Sequence, residues 1–449
     1  MTDLKQIAAD VVQRATRAGA SACEAVAREG DEFSTVVRMG SVETLKESGS
    51  RALGLRVFIG QRAANTYTSD FSQEGIERLV SGAVALAKVT SEDPASGLPE
   101  ASLLGSVAAD LDLYYEDVYS LAPAERIEYA RRAEAAAMNA DSRINNSDGG
   151  SFDAATGRKV LANSHGFVGE YQRSYCSVSA MPIAQSNGGA MQRDYWYSAA
   201  RAMQKLETPE SVGVEAARRT LRRLGARKIP TMQVPVVFDP ITAASVVANI
   251  FNAASGDAIY RGASYLQGKL GERVAGENVT IIDDGTIPGG FGSSPFDDEG
   301  VPSQRTVVIE RGVLKSYLLN TYTAKKLGLK TTGNASRGLA GTPAIGAGNF
   351  FLQPGEKTPQ QIIAGVKQGL YLTGFLGFGV NLVTGDFSRG ANGIWIENGE
   401  LAYPVEEITV AGNLKEMFMN ISEIGNDFEF RSSTAAPTLR IDGLTLAGS

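Results

Sequence analysis

Residues 229–240, IPTMQVPVVFDP, and the run ITAASVVANIFNAAS that follows at 241–255 divide the chain into two halves. Three prolines in twelve residues interrupt regular structure and predict a domain boundary. Asp239 and Pro240 are typical of a helix start, and the following run is apolar on most of its faces. We therefore expect a buried helix directly after the boundary.

Beyond this helix glycine becomes dense and the sequence is dominated by strand-like runs. Two of these runs share the pattern Ile-Glu-x-Gly-x-Leu, at 309–314 and 396–401, and Asn398-Gly399 in the second is typical of a tight hairpin turn. Glycines permit bends and close backbone approach, so this half is expected to form a large curved sheet or barrel. The runs are NVTIIDDGT (278–286), RTVVIERGVLKSYLL (305–319), GLYLTGFLGFGVNLVTG (369–385), NGIWIENGELAYPV (392–405) and PTLRIDGLTLA (437–447).

The first half of the chain alternates between helical and strand-like periodicity. Apolar residues at helical spacing from Leu4 to Ala18 precede strand-like runs over 24–68, and Asp70 with Gln73 resembles a capping box for a second helix. A Pro-, Ser- and Gly-rich linker follows at 91–106. A long helix beginning near Pro123, a strand-rich region and a helix capped by Thr208 come next.

The predicted fold class is α+β. N-terminal helix-and-meander units are followed by a Gly-rich, mostly antiparallel β domain, a curved sheet or barrel, which contains one buried helix. The expected domains are an N-terminal α+β domain over 1–105, a central α+β domain over 106–228 and a C-terminal β-rich domain over 229–449.

Composition excludes several classes of function. The 449 residues carry 43 Lys and Arg against 50 Asp and Glu, a net charge of −7, which argues against nucleic-acid binding through bulk electrostatics. The sequence contains no apolar run long enough to span a membrane and begins with no apolar leader, so we expect a cytoplasmic protein. Cys23 and Cys176 are too far apart for a paired-cysteine motif and are expected to be buried thiols.

A single histidine, His165, limits the available chemistry further. No zinc site with two histidines can be assembled, and any Ser-His-Asp or Cys-His machinery would have to use this one residue. His165 lies on the polar turn 163–166, where it either faces a partner or substrate or has a structural role.

Two polar segments are further candidates for binding. In residues 385–390, GDFSRG, the side chains of Asp386, Ser388 and Arg389 could contact a peptide; alternatively, Asp386 and Arg389 form an internal ion pair that braces a loop. The carboxylates of two acidic clusters either bind a hard cation or form solvated turns, and we favour the turns. These carboxylates belong to Asp283, Asp284, Asp297, Asp298 and Glu299.

Two long segments carry a resemblance to a known family. They begin with DDGTIPGGFGSSPFDDEG at Asp283 and with GDFSRGANGIWIENGELAYPVEEITVAGN at Gly385. Together they resemble the TldD/PmbA family, and its PmbA (TldE) branch in particular; the N-terminal helix-and-meander and the NSHG turn at 163–166 fit the same branch. The resemblance implies a cytosolic bacterial protease assembly in which a zinc-bearing TldD-type chain and a PmbA-type chain enclose a cavity. Unfolded peptides, including microcin precursors and antitoxins, are cleaved there. An older name is modulator of DNA gyrase.

The resemblance also implies where a zinc site would lie. In the TldD branch a helix carries His-Glu-x-x-x-His, and a cysteine near the C-terminus completes the site. If GERV at 271–274 sets the register, Val247 and Asn252 stand at the histidine positions and Ala248 at the glutamate position. None of the three can bind zinc or act as a base, so we expect no metal in this chain and zinc in a TldD-type partner.

The favoured hypothesis is therefore a subunit of a zinc metallopeptidase complex that lacks its own metal site and has no catalytic residues of its own. Free strand edges are expected to bind unfolded peptides through main-chain hydrogen bonds. The rival is a homodimeric peptide-binding or chaperone-like protein without protease activity, and metal-free hydrolysis by the chain itself ranks last. The partner is then a TldD-type chain or a second copy, without nucleic acid or membrane, and the chain's status as an enzyme stays open.

Overall fold

The computed structural model describes residues 3–186 and 189–448 of the chain. Within these ranges helices and strands alternate in the first half, and strands predominate in the second. The helices are α1 (Leu4–Arg17), α2 (Gln73–Val89), α3 (Asp117–Ser120), α4 (Pro123–Met138), α5 (Pro209–Leu221), α6 (Pro240–Ala254), α7 (Gly256–Tyr260), α8 (Thr321–Leu327), α9 (Pro359–Ala364) and α10 (Leu414–Met419), with 3₁₀ turns at Ala101–Leu103 and Met203–Lys205. The strands of the first half are β1 (Ala22–Arg38), β2 (Ser41–Ile59), β3 (Arg62–Thr68), β4 (Ile144–Asn163), β5 (Val168–Gln185), β6 (Met191–Arg193) and β7 (Trp196–Ala200). Those of the second half are β8 (Met232–Phe238), β9 (Ile281–Asp284), β10 (Arg305–Glu310), β11 (Val313–Leu314), β12 (Ala335–Ser336), β13 (Ala344–Ile345), β14 (Asn349–Leu352), β15 (Gln368–Leu376), β16 (Asp386–Glu397), β17 (Glu400–Asn413), β18 (Ile421–Ile424), β19 (Thr434–Ala435) and β20 (Leu439–Ala447).

One antiparallel sheet of seven strands crosses the predicted boundary at 105/106. Its order is β3-β2-β1-β4-β5-β6, and β7 also pairs with β5. The long strand β1 pairs with β2 on one side and with β4 on the other, from Glu24 opposite Asn163 to Val37 opposite Gly150. The meander of the first segment and the strands of the second therefore form one continuous sheet.

The two faces of this sheet have different neighbours, because side chains alternate along each strand. On one face Cys23 and Ala25 pack under α1 and α2, while Phe33 and Phe152 pack under α4 and α5. On the other face Val26 joins side chains of the C-terminal half in a small apolar cluster. The helices thus cover one face of the sheet, and the C-terminal half covers the other. Cys23 and Cys176 are both free and buried, as predicted.

The C-terminal half contains a closed barrel of five strands, which confirms the predicted α+β fold with a curved sheet or barrel. Strands β17, β16, β15, β8 and β20 pair in this order, and β17 also pairs with β20, so the ring closes. All pairs are antiparallel except β8 with β15. A second sheet has the strand order β11-β10-β9-β14-β19. Its side chains and those of the barrel share one apolar core.

Helix α6 is the buried helix that the sequence predicts. Asp239 is its N-cap, since the carboxylate accepts a hydrogen bond from Thr242 N at 2.9 Å, and Pro240 occupies the first turn. The buried side chains of the helix, Val246, Val247 and Ile250 among them, belong to the core of the C-terminal half. Helix α6 also begins the connection from β8 to β15, the one parallel pair of the barrel, since two parallel strands need a crossover between them.

Local turn chemistry explains both Ile-Glu-x-Gly-x-Leu hairpins. The central pairs Arg311-Gly312 and Asn398-Gly399 all have positive φ, as the predicted type of tight turn requires. The start of α2 differs from the prediction. Its N-cap is Ser72, whose hydroxyl accepts from Gly75 N at 3.1 Å, whereas Asp70 accepts from Ser72 N outside the helix. No helix in the described ranges is long and apolar enough to cross a membrane.

Gly213 in α5 permits the close approach of α4. A Cβ at this position would lie 2.3 Å from the carbonyl oxygen of Ala133. We expect Gly213→Ala to lower the free energy of unfolding by about 1–3 kcal/mol, because the two helices must move apart. Gly82→Ala in α2 is the matched control, since no atom lies within 4 Å of the added Cβ, and it should be neutral or slightly stabilising. Urea unfolding of both variants measures the difference, and equal stability would contradict the packing argument.

Candidate functional site

The three positions matched to a zinc-binding helix do not lie together on α6. Val247 is fully buried in the core, Ala248 is half-buried and Asn252 is exposed. Residues five positions apart on a helix differ by about 140° in direction, which explains why Val247 and Asn252 point to different faces. Their match to the histidines of the TldD branch stays a prediction, and Val247 itself is a core residue here.

The segment with Asp386, Ser388 and Arg389 is the start of β16 rather than a loop. Asp386 accepts hydrogen bonds from Thr384 Oγ1 at 2.6 Å and from Asn413 Nδ2 at 3.1 Å. Arg389 instead donates to Ser245 Oγ of α6 at 2.9 Å and stacks on the Phe375 ring at 4.2 Å. The alternative of an Asp386–Arg389 ion pair is therefore wrong. Ser388 is exposed, and whether any of the three contacts substrate stays a prediction.

His165 contacts the linker that connects α2 to α3. Its Nδ1 lies 3.1 Å from the carbonyl oxygen of Pro99, and its backbone N–H donates to Asn163 Oδ1 at 3.0 Å. The ring is otherwise exposed on the turn between β4 and β5. These contacts favour the structural role among the two alternatives for this residue.

The acidic clusters are buried, not solvated as predicted. Asp283, Asp297 and Glu299 are at most 6% exposed. Asp297 does form a turn, since its Oδ1 accepts from Glu299 N and Val301 N, while its Oδ2 accepts from Ala335 N at 3.0 Å. Within residues 3–186 and 189–448, no three His, Cys, Asp or Glu side chains are grouped as a metal site.

A large polar cleft lies between the uncovered face of the seven-stranded sheet and the C-terminal half. Its volume is about 840 Å³, within the range of ligand-binding sites. Three carboxylates of the acidic clusters, Asp283, Asp297 and Asp298, line it, whereas the other candidates from the sequence lie outside it: His165, Val247, Ala248, Asn252, Asp386, Ser388 and Arg389. Its charged lining comprises Arg28, Arg158, Lys159, Arg173, Arg201, Arg337 and Arg431 together with Glu29, Glu32, Asp283, Asp297 and Asp298.

The floor of the cleft is built from cross-strand rows of the sheet. Arg28, Lys159 and Tyr171 lie side by side on β1, β4 and β5. The next row, Gly30, Gly157 and Arg173, has side-chain bulk only at its β5 end. A Cβ on Gly30 would lie 2.3 Å from the Thr156 carbonyl oxygen, so glycine is required there. Only Gly157 leaves open space beside the Arg173 side chain, since an added Cβ there would meet no atom closer than 3.9 Å.

The opposite wall consists of glycine-rich backbone, over 283–294 and 346–348. A Cβ on Gly292 would lie 1.9 Å from the carbonyl oxygen of Gly348, so the two segments touch through main chain alone. Phe296 anchors this wall to the sheet by edge contacts with Phe167 and Tyr171, at ring distances of 5.2 and 5.4 Å. The cleft is therefore polar along its walls and closed at one end by aromatic packing.

A buried network of charges joins the two halves at the cleft. Asp298 pairs with Lys159 and accepts from the backbone N–H of Arg337 at 2.6 Å. Behind it Arg56 Nε lies 2.7 Å from Glu24 Oε1, and Arg337 Nη2 lies 3.1 Å from the same oxygen. Burial lowers the pKa of Lys159 well below its usual value, with a further contribution from the neighbouring Arg28. Burial also raises the pKa of Asp297 and of Glu299, and mutual repulsion adds to the shift of Asp297.

This arrangement is suited to binding. It offers arginines, hydroxyls such as Ser303 and Ser433, and exposed backbone on facing walls. The sequence carried a weak signal for it, since Glu24, Arg28 and Lys159 alternate with small apolar residues on strands whose other face is apolar. Such alternation normally indicates a face in contact with solvent, and only the packing of the C-terminal half reveals a buried polar face.

Comparisons with known proteins agree with this fold along its whole length. Three family models match, described as PmbA/TldA metallopeptidase domain 1 (residues 23–87), central domain (116–224) and C-terminal domain (231–448). Metalloprotease PmbA of Escherichia coli O157:H7 is 41% identical over 416 residues, 93% of this chain and 90% of the relative. A PmbA homologue of Haemophilus influenzae is 37% identical over 100% of this chain and 96% of its own length.

Solved structures give the same result. A protein of Bacteroides thetaiotaomicron described as a modulator of DNA gyrase superposes with a TM-score of 0.93 at 28% identity, and all of both chains is covered. TldE of Thermococcus kodakarensis has the same fold, with a TM-score of 0.89 at 21% identity over 98% of this chain and 100% of its own. The fold and the domain matches together define a protein of the metallopeptidase type. The chain belongs to the PmbA/TldD family.

Proposed function

We propose that this chain is a subunit of a PmbA/TldD metallopeptidase complex that holds unfolded peptides while a zinc-bearing partner cleaves them. The observation that carries the proposal is the residue content of the chain. Its one histidine is hydrogen-bonded to the Pro99 carbonyl, Val247, Ala248 and Asn252 occupy the matched positions of α6, and residues 3–186 and 189–448 contain no group of three potential zinc ligands. Catalysis by the family's metal chemistry then requires a second chain.

The cleft is the part of the chain best suited to hold the peptide. The five barrel strands pair in a closed ring and leave no free edge among themselves, so main-chain pairing with a peptide cannot occur there. The cleft instead presents main chain and polar side chains on both walls. Unfolded peptides, including microcin precursors and antitoxins, are the substrate class that we propose, in the cytoplasm.

A second candidate is a homodimeric peptide-binding or chaperone-like protein that cleaves nothing. Its support is the polar cleft itself, because arginines, hydroxyls and backbone on facing walls can hold a peptide without any metal site. The two candidates differ in what a zinc-bearing family member adds. Cleavage requires such a partner under the first proposal, whereas the second predicts binding alone.

We expect the purified chain to contain no stoichiometric zinc and to cleave no unfolded peptide. Co-expression with a family member carrying His-Glu-x-x-x-His should give a co-purifying complex that contains zinc and cleaves such peptides. Metal analysis, size-exclusion chromatography and a peptide-cleavage assay measure the three properties. The partner alone and the complex treated with a chelator are the controls. One tightly bound zinc per chain in the isolated protein would overturn the proposal. A stable homodimer that does not co-purify with the zinc-bearing family member would favour the second candidate.

A further inference from the structure

Two arginines of the cleft have no carboxylate partner in the described part of the chain. Other cations of the lining are paired: Arg158 with Glu170 and Glu29, Lys159 with Asp298, and Arg431 with Glu207. In contrast, no Asp or Glu oxygen lies within 4.0 Å of the guanidinium of Arg173 or Arg201 among residues 3–186 and 189–448. The cleft therefore contains two guanidinium groups that no carboxylate of its described walls contacts directly.

Arg201 is the more unusual of the two, because it is only 6% exposed. Its guanidinium donates to three carbonyl oxygens, those of Ser174 at 2.9 Å, Gly290 at 3.1 Å and Phe291 at 2.7 Å. These carbonyl oxygens accept hydrogen bonds from the guanidinium of Arg201, but they do not neutralise its positive charge. A buried cation without a counter-ion is costly, and burial, with a contribution from Arg173, lowers the pKa of Arg201 to about 10.

Arg173 stands at the open end of the Gly30–Gly157 row, and its side chain is exposed. Both arginines line the cleft, and the charge of Arg173 is close enough to contribute to the lowered pKa of Arg201. The space over Gly157 beside Arg173 is unfilled, since only Arg173 atoms lie within 4 Å of an added Cβ, at 3.9 Å. A ligand group can therefore reach the guanidinium from the cleft.

We propose that Arg173, with the buried charge of Arg201 behind it, binds a carboxylate of the peptide held in the cleft. A carboxylate is the planar anion that a guanidinium binds most specifically, and it supplies the direct ion-pair partner that Arg173 lacks. Arg173 is the contacting residue, and Arg201 acts as a positioning residue through the Ser174 backbone and its charge. This inference rests on the proposed function, because it takes a peptide in the cleft as its ligand.

The carboxylate can come from the end of the peptide or from an acidic side chain. Synthetic peptides separate the two sources. The probes are short unstructured peptides of Ser, Thr, Gly and Val, prepared with a free C-terminal carboxylate, with a C-terminal amide, or as the amide with one central Gln or Glu. Binding to the full chain is measured by calorimetry at low and high salt. We expect the carboxylate-bearing peptide from at least one source to bind about tenfold more tightly than its neutral counterpart, and the advantage to shrink in high salt.

The deciding variant is Arg173→Gln, which changes an exposed side chain and should leave the fold intact. It should reduce the tenfold preference for carboxylate to less than about twofold while neutral peptides bind as before. Arg131→Gln on α4, which removes an equal charge from a surface far from the cleft lining, should keep the full preference. Equal binding of charged and neutral peptides to the wild type, or an unchanged preference in Arg173→Gln, would overturn the inference. Failure of every peptide to bind would instead overturn the proposed role of the cleft.

Discussion

Replacement of Arg56 by alanine is expected to lower the free energy of unfolding by about 3–5 kcal/mol. Arg56 lies on β2 and is 5% exposed. Its Nε is 2.7 Å from Glu24 Oε1, and its Nη2 is 3.6 Å from Glu299 Oε1. Removal of the guanidinium leaves the buried carboxylates of Glu24 and Glu299 without the cation that partly neutralises them. A buried charge without a counter-ion is among the costliest defects in a protein interior.

The charge network connects the two halves of the chain, so the loss of Arg56 should also weaken the contact between them. Glu24 and Arg56 belong to the seven-stranded sheet, whereas Glu299 and Arg337 belong to the C-terminal half. Glu24 has a second cation partner in Arg337, 3.1 Å away, whereas Glu299 loses its ion pair when Arg56 is removed. We therefore expect the junction between the two halves to loosen first, with faster amide exchange around residues 297–299 than elsewhere.

Two comparisons make the Arg56 prediction specific. Arg62→Ala on the neighbouring strand removes an exposed pair with Glu92, 3.4 Å apart, and should cost at most about 1 kcal/mol. Arg56→Ala combined with Glu299→Gln removes the carboxylate that loses its ion-pair partner, so it should recover part of the loss. Urea unfolding at neutral pH measures all three. If Arg56→Ala loses no more stability than Arg62→Ala, the network contributes little.

The elements that the sequence predicted well are those encoded within a few neighbouring residues. The periodicity of α1, the Asp239–Pro240 start of α6 and the Asn398-Gly399 turn each depend on local contacts. The small error at α2, where Ser72 rather than Asp70 caps the helix, has the same origin. Two capping residues lie two positions apart there, and composition alone does not separate them.

The cleft could not be predicted, because it depends on pairings between distant residues. Its floor requires Arg28 of β1 beside Lys159 of β4, a separation that no local pattern encodes. The buried acidic residues show the same limit, since Asp297 and Glu299 have the composition of a solvated turn. Only the backbone donors and cations that the fold brings to them make burial tolerable.

The pH dependence of stability is expected to change when Asp283 is replaced by asparagine. Asp283 lines the cleft at 2% exposure and accepts a hydrogen bond from Asn334 Nδ2 at 2.7 Å. Burial, with a smaller contribution from Asp284, raises the pKa of Asp283 from 3.8 to about 6 in the folded protein. The folded chain therefore holds a proton that the unfolded chain has already lost between about pH 4 and pH 6.

This difference in pKa between the folded and the unfolded chain sets the direction in which stability changes with pH. Below pH 4 both states are protonated and Asp283 carries no penalty, whereas above pH 6 folding must bury its charge. The side chain thus makes the protein less stable as pH rises, by about 3 kcal/mol over the whole range. Asparagine cannot ionise, so the stability of Asp283→Asn relative to the wild type should increase by about that amount between pH 4 and pH 8. All other titrating groups cancel in the comparison.

Asp386→Asn is the matched control, because its exposed carboxylate has a pKa that hydrogen bonds from Thr384 and Asn413 lower. A lowered pKa reverses the sign: the stabilising contribution of Asp386 is present above its ordinary pKa and is lost as pH falls through the folded value. Because this change lies below the ordinary carboxyl pKa of about 4, the stability of Asp386→Asn should stay nearly parallel to that of the wild type between pH 4 and pH 8. Urea unfolding at several pH values between 4 and 8 tests both variants. Parallel curves for Asp283→Asn and the wild type would mean that Asp283 is charged in the folded cleft at every pH. Between about pH 4 and pH 6 the cleft would then hold one more anion together with Arg173 and Arg201, whereas above pH 6 Asp283 is ionised in either case.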